Sequence, residues 1–111
     1  MNNKTSIQLG KLTIVAGEDL PANRFINFSG NLCTSSDKVL GVTTRSYKAG
    51  SLACIITHGI VPVESGGAIT TIGIDIRPSS DGRASSSPMA FQNIFNLDSA
   101  SGVGKFIRVK L

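Results

Sequence analysis

Apolar residues in this chain come in short stretches, most of them alternating with polar ones, and turn residues separate the stretches. Over residues 6–16 the alternation begins with Ile7 and Leu9 and continues with Leu12 and Ile14, so its phase slips by one at Gly10-Lys11. A period of two is a strand signal, and a one-residue slip sends half of a strand's side chains to the other face. A bulge or bend at Gly10-Lys11 is expected to absorb it. After a turn at 18–22, residues 24–28 read as a second strand, with Ile26 and Phe28 on one side and Phe25 on the other. Residues 39–44 are a β-branched run interrupted by Gly41, where another backbone is expected to approach closely. Residues 52–57 are apolar on both faces and read as a central strand. His58-Gly59 breaks that strand. It resumes over 60–63, where Pro62, with no N–H for a ladder, marks an edge or a strand end.

Further along, Ile72, Ile74 and Ile76 share one face of a strand, and residues 78–83 form a turn with a hairpin-like Asp81-Gly82 pair. Residues 89–97 are ambiguous. Ser87-Pro88 ahead of Phe91, Ile94 and Phe95 fits a helix start, but 91–97 also fit a short strand, and the β-rich surroundings favour the strand. The last strand, 105–111, puts Ile107, Val109 and Leu111 inward and Phe106, Arg108 and Lys110 outward. Its apolar end predicts that it is tied into the sheet. Strands at short intervals with no long helix between them predict an all-β fold, a small antiparallel β-sandwich or β-barrel with at most one short helix. One domain covers residues 1–111, with about 1–5 as an extended N-terminal arm.

Composition narrows the classes further. Of 111 residues, 41% are apolar and only 16% charged, which is too apolar and too weakly charged for a disordered chain. No apolar run reaches membrane-spanning length, and the start MNNKTSIQLGK lacks the apolar stretch of a signal peptide. The net charge is +4, but the cations are scattered, with only Lys105, Arg108 and Lys110 near one another. Without a basic cluster or interleaved aromatics, no specific nucleic acid and no membrane is expected as a partner. A small nucleic-acid-binding β-barrel remains an alternative on charge alone.

Candidate chemistry is sparse, and no catalytic, cofactor-binding or metal residue is assigned. Cys33 and Cys54 with the single His58 make no zinc-ligand spacing. Cys54 lies in an apolar run and reads as a core residue, whereas Cys33 follows the turn Ser29-Gly30-Asn31 and reads as partly exposed. Cys54 and His58, four apart on a strand, would be about 13 Å from each other, too far for a nucleophile–base pair. Gly102-Val103-Gly104-Lys105-Phe106 has the outline of a phosphate-binding loop's end. However, Ser99 stands where the first glycine belongs, Phe106 replaces the metal-holding hydroxyl, and a strand rather than a helix follows. A glycine-rich turn entering the last strand is expected instead, and the chain is expected not to be an enzyme.

One resemblance carries more than the chemistry. Ala22-Asn23-Arg24-Phe25 with Phe28-Ser29-Gly30, Val39-Leu40-Gly41-Val42-Thr43, and Lys48-Ala49-Gly50 leading to Gly59-Ile60-Val61-Pro62-Val63-Glu64 occur in a telling order. With Asp81-Gly82-Arg83-Ala84 and the closing Leu97-Asp98 into residues 106–111, this order resembles the small capsid cement, or decoration, proteins of tailed bacteriophages. The likeness runs from about Leu12 onward and departs from the family near Ile69 to Asp75 and over residues 85–95. It implies a structural virion protein on the outer capsid surface, made in the host bacterial cytoplasm, that bridges major capsid subunits and stabilises the shell without a cofactor. The implied partners are the major capsid protein and further copies of the chain, as a homotrimer on a threefold position or alternatively a homodimer. A head-fibre base or tail-tube component is the alternative within the same class.

Overall fold

The computed structural model describes residues 7–86 and 94–111, and among them every regular element is a strand. In chain order these are β1 (Ile7–Val15), β2 (Phe25–Asn27), β3 (Val39–Thr43), β4 (Leu52–Glu64), β5 (Ile76–Pro78), β6 (Ala84–Ser86), β7 (Phe95–Asn96) and β8 (Phe106–Lys110). The spine is β4, whose 13 residues pair with three other strands. β1 lies along it from Ile60 to Leu52, β3 meets it at Ile55 and Ile56, and β8 runs beside it from Ile60 to Glu64. β2 extends the sheet beyond β3 and β7 beyond β8, giving one curled six-stranded antiparallel sheet. The β5–β6 hairpin is a separate two-stranded sheet, turning at Gly82 with φ 77° as the Asp81-Gly82 signal predicts. The all-β expectation holds. The proposed arm at 1–5 and the greater part of 89–97 lie outside the described residues; at the end of the latter, Phe95 and Asn96 are strand.

The sheet carries a core on each face, and β4 explains how. Ala53 and Ile55 pack with Ala16, Leu20 and Ile26, whereas Ile56, Val61 and Val63 pack with Phe25, Val42, Ile107 and Val109. Ile55 and Val61 are both odd-numbered yet lie in opposite cores, so β4 must contain one residue outside the regular alternation. The register locates it. Gly10 faces His58 and Lys11 faces Ile56, which leaves Thr57 over, while Gln8 faces Gly59 and Gly10 faces His58, which leaves Leu9 over. The phase slip read at Gly10-Lys11 is therefore real, but two bulges accommodate it, one in each strand. Gly59, at φ 121°, lets β4 continue through this point, so His58-Gly59 kinks the strand rather than ending it, contrary to expectation. Gly41 behaves as read: a Cβ there would lie 2.3 Å from the Ile56 carbonyl oxygen.

Three further readings need correction. Pro62 is inside β4, opposite Arg108, and not at a strand end. Its carbonyl accepts from Asn23 Nδ2 at 3.1 Å, so its donor-less nitrogen faces the Asn23 corner rather than β8, and the position is an edge only locally. Ile72, Ile74 and Ile76 do not form one strand. Gly73 at φ 79° makes a turn of residues 71–74, and only Ile76 enters β5. The cysteines are reversed: Cys33 is buried and Cys54 half-buried, because the chain re-enters the core after the turn, with Cys33 N–H donating to the Phe25 carbonyl at 3.0 Å. Burial, assisted by the nearby Asp37 charge, pushes the Cys33 thiol up to about 12. The C-terminal strand is as expected, with Ile107 and Val109 fully buried and Leu111 packed against them.

Ion pairs pin the peripheral pieces. Glu64 on β4 accepts from Arg24 at 3.3 Å and from Arg83 of the hairpin, and Arg83 also holds Asp81 at 2.7 Å. Asp98, nearly buried, accepts from the Arg108 backbone N–H and Nε, both at 2.9 Å, and from Nη2 at 3.0 Å. The Arg108 hydrogen bonds hold the Asp98 carboxyl below its ordinary value despite the burial that opposes ionisation. A carboxylate depressed in the fold adds stability above its unfolded pKa of about 3.9, and that stability is lost as pH falls through the lower folded value. Thermal melts are therefore expected to be flat from pH 7 to about 5 and to fall below about pH 4. Asp98→Asn is expected to cost about 1.5–3 kcal/mol at neutral pH, the range for hydrogen bonds to charged groups, and to flatten the acid limb.

Candidate functional site

β1 is unusual among the strands because almost none of it is buried. Ile7, Leu9, Leu12 and Val15 are all exposed, Leu9 at 78%, although the same alternation in β8 fills the core. Cross-strand partners share a face, so Leu12 and Ile14, opposite Ile55 and Ala53, lie on the side of the smaller core. Val15 lies opposite Leu52 on the other side, and Leu52 is exposed as well. β4 is the strand with which β1 pairs among the described residues. The strand contains no proline, and Lys11 and the bulge at Leu9 are the features in it that blunt a sheet edge.

Beside Leu12 the surface folds into a groove of about 490 Å³. Its walls are Lys11 and Leu12 of β1, Phe28, Val39 and Leu40 at the start of β3, Thr57 and His58 of the β4 bulge, Ile94 and Leu111. The bulge creates it: the residues left over from the ladder interrupt the sheet where β3 begins and β8 ends. Phe28, read on the same side of a strand as the buried Ile26, lies past the end of β2 and is 66% exposed at the groove's rim. Asn27 causes this by turning the chain, its Oδ1 accepting from the Ser29 and Asn31 N–H groups at 3.0 Å each. Among the described residues, Lys11 is the one lining residue with a charged side chain.

The residues weighed for chemistry are dispersed. His58 lines the groove with its Nδ1 3.2 Å from Thr57 Oγ1, while Cys54 sits opposite Thr13, and no hydrogen bond links Cys54 to His58. Among the described residues no three His, Cys, Asp or Glu side chains gather as a metal-binding group. The glycine-rich stretch before β8 is a turn fastened to Ser65, whose Oγ donates to the Gly102 carbonyl at 2.6 Å and whose carbonyl accepts from Gly104 N–H at 2.9 Å. Of the cations, Arg24, Arg83 and Arg108 are committed to carboxylates.

Sequence patterning points to β1 as a strand and to its bulge, but not to its exposure, since an apolar alternation reads equally well for a core strand and an adhesive one. No family model matches this chain, and no curated protein resembles it in sequence. A solved structure resembles it in fold: the N base of head fiber gp8.5 in bacteriophage phi29, at a TM-score of 0.72 over 92% of both chains, with 16% sequence identity. At that identity the likeness is one of fold.

Proposed function

We propose that this chain is a structural component of a tailed-phage head, a cement protein that sits on the outer capsid surface and bridges major capsid subunits. The observation that carries the proposal is the exposed apolar β1 with Leu52 beside it, on a fold similar to a phage head-fiber base. Large apolar side chains exposed on both faces of one strand are a mark of an interaction site in a small protein, and an edge strand offers backbone donors and acceptors to an extended segment of a partner. The task requires a rigid body and an adhesive edge, and no reaction, cofactor or metal. Self-association multiplies weak single contacts on a repetitive shell into stable attachment, and a homotrimer on a threefold position is favoured over a homodimer. The cations are scattered along the chain rather than clustered, and neither a specific nucleic acid nor a membrane is expected as a partner. A head-fiber base is the second reading, favoured by the fold likeness, and it uses the same attachment to the shell.

Cosedimentation with heads of the encoding phage tests the proposal. The wild-type chain is expected to pellet with heads and to be recovered from purified virions by mass spectrometry. Leu9→Asp and Val15→Asp are expected to weaken binding at least about tenfold while leaving the melting temperature nearly unchanged, because both side chains are already in water. A chain absent from virions, or equal binding by these variants, overturns the proposal.

A further inference from the structure

Ile72 stands 60% exposed on the turn of residues 71–74, and the fold invests heavily in holding it there. Asn96, fully buried on β7, donates through Nδ2 to the Thr71 carbonyl at 2.8 Å and accepts at Oδ1 from Ile74 N–H at 3.0 Å. Its backbone carbonyl accepts from Gly73 N–H at 2.9 Å. Its Nδ2 also donates to the Asp98 carbonyl at 2.9 Å, so the buried amide is satisfied while it ties the 71–74 turn, whose tip is an apolar side chain in water, to the body of the fold. Such preorganisation is what an anchor residue needs, because little entropy remains to be lost on binding.

The complement is on the same molecule. The groove beside Leu12 is mostly apolar, is large enough for a branched aliphatic side chain, and carries Lys11 as the one charged side chain among its described lining residues. Asp75 follows the Ile72 turn, and among the described residues neither Asp75 nor Lys11 makes an ion pair. We propose that the Ile72 turn of one copy inserts into the groove of the next, with Asp75 beside Lys11. The occupant is a second copy of this chain because the knob fits within the groove and shares its apolar character, and because Asp75 and Lys11 are of opposite sign and neither is committed to an ion pair among the described residues. A knob and a groove at different places on one surface make a head-to-tail contact, which closes into a ring where the rotation between copies divides a full turn and otherwise runs on as a filament. This inference rests on the self-association proposed above and supplies its contact.

Sedimentation equilibrium of the full chain, without heads, tests it. Wild type is expected to form a closed small oligomer, and Ile72→Asp to raise the dissociation constant about 10–100-fold, the worth of one buried aliphatic side chain. Lys11→Glu and Asp75→Lys are each expected to weaken assembly about fivefold, and the double variant to recover it. Circular dichroism of each monomer checks that folding is retained; if Ile72→Asp does not fold, Ile72→Ser and the charge exchange decide. Three results overturn the contact: an oligomer indifferent to Ile72, no recovery in the double variant, or loss of head binding by Ile72→Asp with unchanged assembly. A wild-type chain that stays monomeric at all concentrations overturns self-association itself, while head attachment through β1 stands or falls on its own assay.

Discussion

Gly59→Ala is expected to unseat β1 and abolish head binding while β8 and the larger core persist. At Gly59 the backbone φ is 121°, and an added Cβ would lie 2.0 Å from the Ile7 carbonyl oxygen and 3.0 Å from the Leu9 nitrogen. Both obstacles are backbone, so the clash is relieved only by moving the strand. β1 buries little, so little holds it against that push. The strained φ and the displaced ladder together are expected to cost about 2–4 kcal/mol in chemical denaturation. Gly50→Ala is the control. Its φ of 84° is equally foreign to alanine, but nothing lies within 4 Å of the added Cβ. A loss of about 1–2 kcal/mol with full head binding is expected there. Equal losses in the two variants would show that φ alone matters at Gly59.

Removing residues 109–111 is expected to be more damaging still to the fold as a whole. Val109 is fully buried, pairs with both Val61 and Asn96, and joins the larger core, while Leu111 packs against that core and donates its N–H to the Gly59 carbonyl at 2.9 Å. Burial of an aliphatic side chain is worth about 1.5–3 kcal/mol, so the deletion removes about 3–5 kcal/mol before the lost ladder bonds are counted. A domain of this size holds about 5–15 kcal/mol in total. The shortened chain is expected to be unfolded or aggregated at 37 °C, read by near-ultraviolet circular dichroism and gel filtration. A shortened chain with a wild-type melting curve would contradict the placement of β8 at the centre of the fold.

The sequence was most informative where one residue has one physical explanation. Gly41 signals close backbone approach, Asp81-Gly82 a hairpin, and the alternation of Ile107 and Val109 a buried strand; all three are found in the fold. It misled where two structures share one pattern. Ile72, Ile74 and Ile76 alternate as a strand does, but the turn is set by Asn96, more than twenty residues away in the chain, and local periodicity carries no trace of it. Cys33 and Cys54 were exchanged in burial for the same reason, since burial depends on what packs against a residue from elsewhere. The groove is the extreme case. Its walls come from six separate stretches of the chain, and Leu9 and Thr57 fall out of register beside it, so the phase slip at Gly10-Lys11 is its one trace in the sequence.

Cryo-electron microscopy of the mature particle shows whether the chain is on the head and which of its surfaces faces the shell. Density for this curled sheet is expected on the outside of the capsid, with Leu9, Val15 and Leu52 turned toward the major capsid protein. Particles without that density, or with β1 facing solvent and another face against the shell, would contradict it.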